Sequence, residues 1–281
     1  MCSSDLTVVV AITDMQGRLQ GKRVHARHFL DDVLGHGTEG CNYLLAVDVD
    51  MNTVGGYQLS SWDTGYGDMV FAMDTETLHL QTWQPGTAAL LCDIRDEEGN
   101  DVVESPRQIL RAQTQRLADR DMVAMVGTEL EFMVFLDSYE HAWKSGYRDL
   151  TPGNLYNVDY SLVGTARVEP LLRRIRNSMA DAGLIVESAK GECNLGQHEI
   201  AFKYADALAT CDNHVIYKTA AKEIAAQEGA AITFMAKFNE REGNSCHIHM
   251  SFRSEDGQAV MADDKSADHL SVLGRHFIAG Q

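Results

Sequence analysis

The sequence predicts an α+β protein, with a mostly β-stranded part in its first hundred residues and alternating strands and helices after it. Two patterns support this prediction. Up to about residue 104, β-branched and apolar runs are separated by turn-forming residues, and from residue 105 onward strand-like runs alternate with segments of helical periodicity. We therefore predict two domains, at residues 1–104 and 105–281.

The first domain contains three runs that predict strands. Leu6–Ile12 is a short β-branched run, and Cys41–Val49 and Ala88–Ile94 are continuous apolar runs of the kind found in strands buried on both faces. The segment 52–67, rich in Gly, Ser and Tyr, lies between the last two. It is predicted as a long loop, either functional or simply exposed to solvent.

The second domain begins with a helix signal. Ser105 can cap a helix with Pro106 in its first turn, and Ile109, Leu110 and Leu117 recur at helical spacing after it. The remaining predicted elements are strands at Val123–Phe135, Leu184–Ser188, Ala230–Phe238 and Cys246–Phe252, and helices at Pro170–Ala182, Asp212–Gln227 and Ala267–Ala279.

Composition excludes several classes of function. The chain has 24 Lys and Arg against 41 Asp and Glu, a net charge of −17, which disfavours a nucleic-acid partner held by phosphate contacts. No apolar run approaches the roughly 18 residues of a membrane helix, and the N-terminus lacks a signal-peptide pattern. The six cysteines are scattered and read as reduced thiols, so we expect a cytoplasmic protein with no membrane contact.

Two glutamates share one face of the predicted strand Val123–Phe135. Alternate residues of a strand point to the same side, so Glu129 and Glu131 lie side by side in an otherwise apolar segment. Burying neighbouring carboxylates without a partner is costly. The pattern predicts a cation over this face, although an open strand edge with both glutamates in water would also explain it.

Two further segments carry polar groups that could contribute to a cation site. His247, His249 and Ser251 share one face of Cys246–Phe252 while the other face is apolar, which favours a polar cavity. Glu192 and Glu199 flank the turn-forming residues 194–196, which would bring their carboxylates close together. That last signal is weak by itself, because acidic loops are usually just solvated.

Together these residues predict a metal site. Four carboxylates and a histidine, with no cysteine at metal-ligand spacing, suit Mg²⁺ or Mn²⁺ better than zinc or copper. The sequence has no P-loop, no dinucleotide-binding glycine motif and no nucleophile elbow. The residues alone therefore predict divalent-metal phosphoryl transfer on an antiparallel sheet.

Four segments, in chain order, resemble motifs of the glutamine synthetase family. They are WDTGYGDMV at Trp62–Val70, GTELEF at Gly127–Phe132, ECNLGQHE at Glu192–Glu199 and GNSCHIHMS at Gly243–Ser251. The resemblance implies an N-terminal β-grasp domain followed by part of a catalytic domain with a curved antiparallel sheet. It also implies two or more Mg²⁺ or Mn²⁺ ions, ATP as co-substrate, and a homo-oligomeric ring in the full-length protein.

The resemblance also implies a role for each matching residue. Glu131, Glu192 and Glu199 match the first metal site, and Glu129 and His247 match the second. The other matches are Glu187, Tyr204, His249 and Ser251 for ATP, Gly243 and His247 for glutamate, Tyr160 for the pocket of the incoming amine, and Asp50 or Asp68 (with Asp48 nearby) for deprotonating that amine.

Two departures from the family pattern bear on the substrate. Residues 243–246 read Gly-Asn-Ser-Cys where ammonia-using members have Gly-Ser-Gly-Met, and the segment 52–67 lacks their Asp-Gly-Ser-Ser. Both changes resemble the subgroup that joins glutamate to a polyamine, ethanolamine or aromatic amine. The resemblance thus implies an ATP-dependent ligase that couples the γ-carboxylate of glutamate to an amine through γ-glutamyl phosphate.

Three alternatives remain open at this point. One is glutamine synthetase proper, with ammonia as the nucleophile, and another is a regulatory protein that binds metal or nucleotide without turnover. The third is a guanidino-phosphotransferase, which the N-terminal β domain and the His-Ile-His strand disfavour. Family members continue well beyond this length, with a further metal glutamate and phosphate-binding arginines. We therefore expect a truncated chain that binds metal but does not turn over.

Overall fold

The computed structural model describes residues 6–60 and 65–281, which form an α+β fold with two six-stranded sheets. This confirms the predicted fold class. The first sheet uses residues between 7 and 95, and the second uses residues between 122 and 254. The predicted boundary after residue 104 falls between the two sheets and stays a prediction. Trp62, Asp63 and Thr64 of the first family motif lie outside the described residues.

The first sheet has a parallel pair at its centre. Its strands are β1 (Thr7–Thr13), β2 (Leu19–His25), β3 (Thr38–Cys41), β4 (Asp68–Met73), β5 (His79–Leu80) and β6 (Thr87–Arg95). β1 runs parallel to β6 and antiparallel to β2, and the order along the sheet is β2-β1-β6-β4-β3, with β5 pairing with β6. A short helical segment packs on the sheet through Phe29 and Val33, as in a β-grasp domain; it comprises α1 (Ala26–His28), a π-helical turn (Phe29–Val33) and α2 (Leu34–His36).

The second sheet is built around one long strand. Its strands are β7 (Met122–Phe135), β8 (Val186–Gly191), β9 (Gln197–Phe202), β10 (Ala205–Asp206), β11 (Ala231–Thr233) and β12 (Cys246–Ser254). β7 pairs antiparallel with β9, β10, β11 and β12, so every other element of the sheet except β8 is placed directly by it. The two glutamates predicted to share a face lie on this strand.

Helices pack on both faces of the second sheet. They are α3 (Pro106–Ala118), α4 (Tyr139–Lys144), α5 (Leu162–Thr165), α6 (Glu169–Asp181), α7 (Ala207–Gln227) and α8 (Val272–Ala279). Ile175 of α6, Ile224 of α7 and Phe132 of β7 lie in one buried cluster, which Leu91 of the first sheet also joins. The two sheets therefore share a hydrophobic core.

Most predicted elements are present, with shifted ends. The helix after Ser105 and the strands β1, β6, β7 and β12 are confirmed. The Cys41–Val49 strand is wrong: β3 ends at Cys41 and a 3₁₀ turn follows at Asn42–Leu45. Leu45 and Val47 are nevertheless buried. A continuous apolar run predicts burial, but it does not distinguish a strand from a buried turn.

An ion-pair cluster connects α3 to the first sheet and to α7. The guanidinium of Arg107, which is 5% exposed, contacts Asp93 and Asp74 at 2.6 Å each and Asp212 of α7 at 2.9 Å. Arg111 contacts the same Asp74 and Asp93. Because Arg107 satisfies three carboxylates at once, α3 is held in one position between the first sheet and α7.

The helices and the cysteines of residues 6–60 and 65–281 have two further properties. None of the helices there is long and apolar enough to cross a membrane. The cysteines at positions 41, 92, 193, 211 and 246 are all free thiols, in agreement with the reduced state predicted from their scattered positions.

Candidate metal and substrate cavity

Antiparallel pairing of β7 with β12 aligns the predicted polar faces of the two strands. Glu129 lies directly opposite His247, and Gly127 lies opposite His249. Directly paired residues point to the same side of a sheet, so the imidazoles reach the carboxylate. His247 Nδ1 is 3.2 Å from Glu129 Oε2, and His249 Nε2 is 3.0 Å from Glu129 Oε1. Glu129 is thus held between two histidines.

A tight turn between β8 and β9 assembles the other carboxylates. Glu199 is paired with Glu131 of β7, and the turn places Glu192 beside them, with its N–H donating to Gln197 O at 2.9 Å. Gly196 in this turn has φ of 73°, a conformation that L side chains rarely adopt. The ligand oxygens of Glu131, Glu192 and Glu199 lie within 4.8 Å of one another. The predicted approach of Glu192 to Glu199 is therefore confirmed.

Burial of these carboxylates decides between the two explanations offered for the glutamate pair. Glu131 and Glu199 are each 6% exposed, so the open-edge alternative is wrong for Glu131. Burial raises the pKa of Glu199, the Lys190 ammonium lowers it, and the neighbouring Glu129 and Glu131 carboxylates raise it further. Raising that pKa means that the charged form of Glu199 is disfavoured unless a cation is close.

The donor set fits a divalent ion. Three carboxylates converge, two of them buried, and Glu129 and His247 line the same cavity. Oxygen donors with one imidazole are the ligands that Mg²⁺ and Mn²⁺ accept, and a buried carboxylate cluster is stabilised by such an ion. The residues present are therefore suited to hold the metal that the resemblance implies.

A buried amide network fixes Glu131. Gln197 Nε2 donates to Glu131 Oε2 at 2.7 Å and to Gly243 O at 2.8 Å, while the N–H of Ser245 donates to the same Glu131 oxygen at 2.8 Å. Asn194, fully buried, donates to Glu242 O at 2.6 Å. These amides tie the metal carboxylate to the loop that precedes His247. Sequence reasoning missed them, although alternation along β9 places Gln197 on the same face as Glu199.

One cavity of about 680 Å³ contains the carboxylates and the predicted amine-pocket residue. It is lined by Glu129, Glu131, Glu192, Glu199 and His247, and also by Asp159, Tyr160, Ser161, Leu162, Thr165 and Lys190. Lys190 Nζ lies 5.1 Å from the centre of the Tyr160 ring. Tyr160, predicted from the resemblance, is therefore next to the metal carboxylates, whereas Lys190 and Asp159 were not predicted.

Of the predicted ATP and glutamate residues in the described part of the chain, His247 lines this cavity and His249 contacts Glu129 of its lining. Glu187 is exposed at a bulge of β8, Tyr204 packs against Gly127, and His249 and Ser251 are exposed on β12. Gly243 approaches Ala236 O so closely that a Cβ would clash with it. The roles of all these residues stay predictions.

The two candidate aspartates of the first sheet are not brought to the cavity. Asp50 follows Asp48 in an exposed turn, where its N–H donates to Asp48 Oδ1 at 2.9 Å, and Asp68 is exposed at the start of β4. Neither is among the residues that line the cavity within the described part of the chain. Their assignment to this site within a single chain has no geometric support here.

Comparison with known proteins places these residues in a family. Residues 103–281 match the family of the glutamine synthetase catalytic domain. The chain belongs to this family. The match covers the carboxylate strands and the His-Ile-His strand, so the residues gathered in the cavity are those of a glutamine synthetase-type domain.

Several curated relatives within the glutamine synthetase family are amine ligases. The chain is 65% identical to gamma-glutamylethanolamide synthetase of Streptomyces coelicolor over 275 residues, which is 98% of this chain and 59% of that protein. It is 34% identical to glutamate–isopropylamine ligase of a Pseudomonas species, covering 98% of this chain and 60% of that protein. The chain therefore spans about three fifths of the length of these relatives.

Solved structures agree with the glutamine synthetase fold. The chain matches the ligand-free structure of GmaS with a TM-score of 0.83 at 26% identity, covering 98% of this chain and 60% of that one. It matches an ADP complex of GmaS with a TM-score of 0.82, also at 26% identity, covering 98% of this chain and 59% of that one.

Proposed function

We propose that this chain is part of an ATP- and Mg²⁺- or Mn²⁺-dependent ligase that joins the γ-carboxylate of glutamate to an organic amine. The observation that carries the proposal is the single cavity in which a cluster of three carboxylates meets Tyr160 and Leu162. A site for phosphate chemistry and a partly apolar recess in one cavity are what an enzyme needs to make an acyl phosphate and present it to an amine.

The first chemical step is phosphoryl transfer from ATP. An oxygen of the glutamate γ-carboxylate attacks the γ-phosphorus, ADP leaves, and γ-glutamyl phosphate forms. Bound divalent ions would neutralise the phosphate oxygens and orient the reacting groups. Glu131, Glu192 and Glu199 would hold one ion, and Glu129 with His247 the other. Gln197 would keep the Glu131 carboxylate in the orientation it has here.

The second step is attack by the amine. The amine nitrogen attacks the γ-carbonyl carbon, inorganic phosphate leaves, and the nitrogen loses a proton to a carboxylate. Tyr160 is the residue that the resemblance gives to the amine pocket, and Ser161, Leu162 and Thr165 line the same cavity. The apolar side chain of Leu162 is 88% exposed and is therefore free to contact the carbon substituents of an acceptor.

The identity of the acceptor is supported by the relatives. Three of them are named for ethanolamide, isopropylamine and methylamine products or substrates, at 65%, 34% and 30% identity. Ammonia is the second candidate, because a glutamine synthetase of Halobacterium salinarum is 33% identical over 76% of this chain. A primary amine of two or three carbons is the acceptor we favour.

The test is ADP release in the presence of glutamate, Mn²⁺ and a panel of ammonia, methylamine, ethanolamine and isopropylamine. It is run on the 281 residues and on a chain as long as the curated relatives. We expect turnover from the longer chain only. In that chain, an organic amine should support turnover at a lower concentration than ammonia does. Equal or better use of ammonia would favour glutamine synthetase activity, and metal binding without ADP release from the longer chain would favour the regulatory alternative.

A further inference from the structure

The most unusual group in the cavity is the ammonium of Lys190. It lies on β8, directly paired with Glu199 of β9, and its side chain is 25% exposed. Its Nζ forms an ion pair with Glu192 Oε1 and lies 3.9 Å from Glu199 Oε2. One ammonium of the chain itself therefore offsets part of the negative charge of two of the three carboxylates that converge here.

This contact competes with a divalent ion. Glu131, Glu192 and Glu199 offer their oxygens within 4.8 Å of one another, and the ammonium already occupies oxygens of two of them. An ion bound to all three carboxylates would carry the same sign as the ammonium at a separation of a few ångströms. Like charges at such distances repel strongly in a partly buried site. The ammonium and the ion cannot both keep these positions.

The ammonium is also in contact with an aromatic ring where it lies now. Lys190 Nζ is 5.1 Å from the centre of the Tyr160 ring, within the range of a cation–π contact. The aliphatic stem of lysine is flexible, so the ammonium can leave the carboxylates and stay over this ring. Tyr160 lines the part of the cavity proposed for the amine, which means that the displaced charge would move towards the acceptor.

We propose that Lys190 is an internal counterion of the first metal site, which stabilises the metal-free carboxylates and is displaced towards Tyr160 when a divalent ion binds. The inference rests on the metal site of the proposed function. Lys190 then acts as a positioning residue: it sets the affinity of the site for metal and links metal occupancy to the amine side of the cavity.

The first test compares Mn²⁺ affinity by isothermal titration calorimetry in wild type, Lys190→Met and the control Lys144→Met, an exposed lysine of α4. Removing a competing charge should tighten Mn²⁺ binding at the first site by about 10-fold, a coupling of ordinary size. In EDTA, the melting temperature of Lys190→Met should fall, because the carboxylates then repel one another without compensation. The control should match wild type in both measurements.

Equal or weaker Mn²⁺ binding by Lys190→Met would overturn the inference, since a lysine that merely supports the carboxylates would not compete. No Mn²⁺ binding by wild type would instead overturn the metal site of the proposed function, and this inference with it.

A second measurement needs no variant and covers the case in which Lys190→Met does not fold. Acetylation of each lysine by a small activated ester is followed by mass spectrometry, with and without Mn²⁺. Displacement from the carboxylates should make Lys190 react several-fold faster when Mn²⁺ is present, relative to Lys144. An unchanged ratio would show that the ammonium stays where it is and would contradict the proposal.

Discussion

Gln197 donates a hydrogen bond of 2.7 Å from Nε2 to Oε2 of Glu131, and both side chains are almost fully buried. The same amide nitrogen donates to Gly243 O, and the side-chain oxygen Oε1 of Gln197 accepts from the N–H of Asn194. One side chain therefore links the metal carboxylate, the turn after Glu192 and the loop before His247. Groups that orient a metal ligand commonly matter nearly as much as the ligand.

Replacing Gln197 should weaken metal binding without removing a ligand. In Gln197→Met the side chain keeps a similar volume but cannot donate to Glu131 Oε2, so the carboxylate loses its fixed orientation. We expect Mn²⁺ affinity at the first site to fall about 10- to 100-fold, measured by titration calorimetry. The exposed Gln113→Met of α3 is the control. Unchanged affinity would mean that Gln197 has only a packing role.

Removing Glu131 itself should abolish one site. Wild type should bind two or more Mn²⁺ ions, and Glu131→Ala should bind one fewer, because the buried ligand of the first site is lost while Glu129 and His247 of the second remain. Stoichiometry is measured by electron paramagnetic resonance of free Mn²⁺. Glu140→Ala, at an exposed position of α4, controls for the loss of one negative charge. Equal stoichiometry in Glu131→Ala and wild type would refute the assignment.

The Arg107 cluster should contribute strongly to stability. Arg107→Met leaves Asp212 without its guanidinium partner, and removes the closest cation from Asp74 and Asp93. Leaving a buried carboxylate unpaired typically costs about 3–5 kcal/mol. We expect a loss of that size in the free energy of unfolding by urea, against a small change for the exposed Arg116→Met. A loss below about 1 kcal/mol would show that Arg111 can replace Arg107.

Half-buried His214 should make the protein sensitive to mild acid. Burial, and then the nearby Lys218 charge, lower the pKa of His214 from 6.5 to about 4, and Thr128 Oγ1 lies 3.1 Å from its Nδ1. Because the folded pKa is below the unfolded one, the unfolded state binds more protons between pH 6.5 and 4. Stability therefore falls as the pH drops through this range, by up to about 1.4 kcal/mol per pH unit.

Replacing His214 should remove its contribution to the loss of stability in acid. The free energy of unfolding of His214→Gln should fall less steeply between pH 6.5 and 4 than that of wild type, as measured by urea denaturation at several pH values. His276→Gln, at an exposed position of α8, should keep the wild-type slope. An identical slope in His214→Gln would mean that other groups account for the acid sensitivity.

The position of the early aspartates suggests a site shared between subunits. Asp50 and Asp68 lie on the first sheet and do not line the cavity of their own chain in its described part. If the ring that the resemblance implies brings them to a neighbour's cavity, mixing Asp68→Ala with Glu131→Ala chains of the relatives' length should restore part of the ligase activity. Each variant alone serves as the control. No recovery in the mixture would argue against a shared site.

The sequence by itself determined the fold class and which polar residues share a face. Strand alternation placed Glu129 with Glu131 and His247 with His249, since the side-chain period of a strand is fixed. The prediction of a strand was wrong where it depended on apolar content alone. The run Cys41–Val49 was predicted as a strand, but the chain turns after Cys41. Ends of elements also moved; α7 begins at Ala207, because the Asp206 carboxylate caps it, rather than at Asp212 as predicted.

Tertiary structure decided which of the polar faces meet and what compensates their charge. The register between β7 and β9 set Glu131 opposite Glu199, and register depends on pairings between segments 68 residues apart, which no local pattern encodes. The same is true of Gln197, Asn194 and Lys190, whose polar groups look ordinary in the sequence. They become part of the site only because the turn at Gly196 brings β8 and β9 together. Buried carboxylates need hydrogen-bond donors or cations nearby, and the fold places these three residues within reach of them.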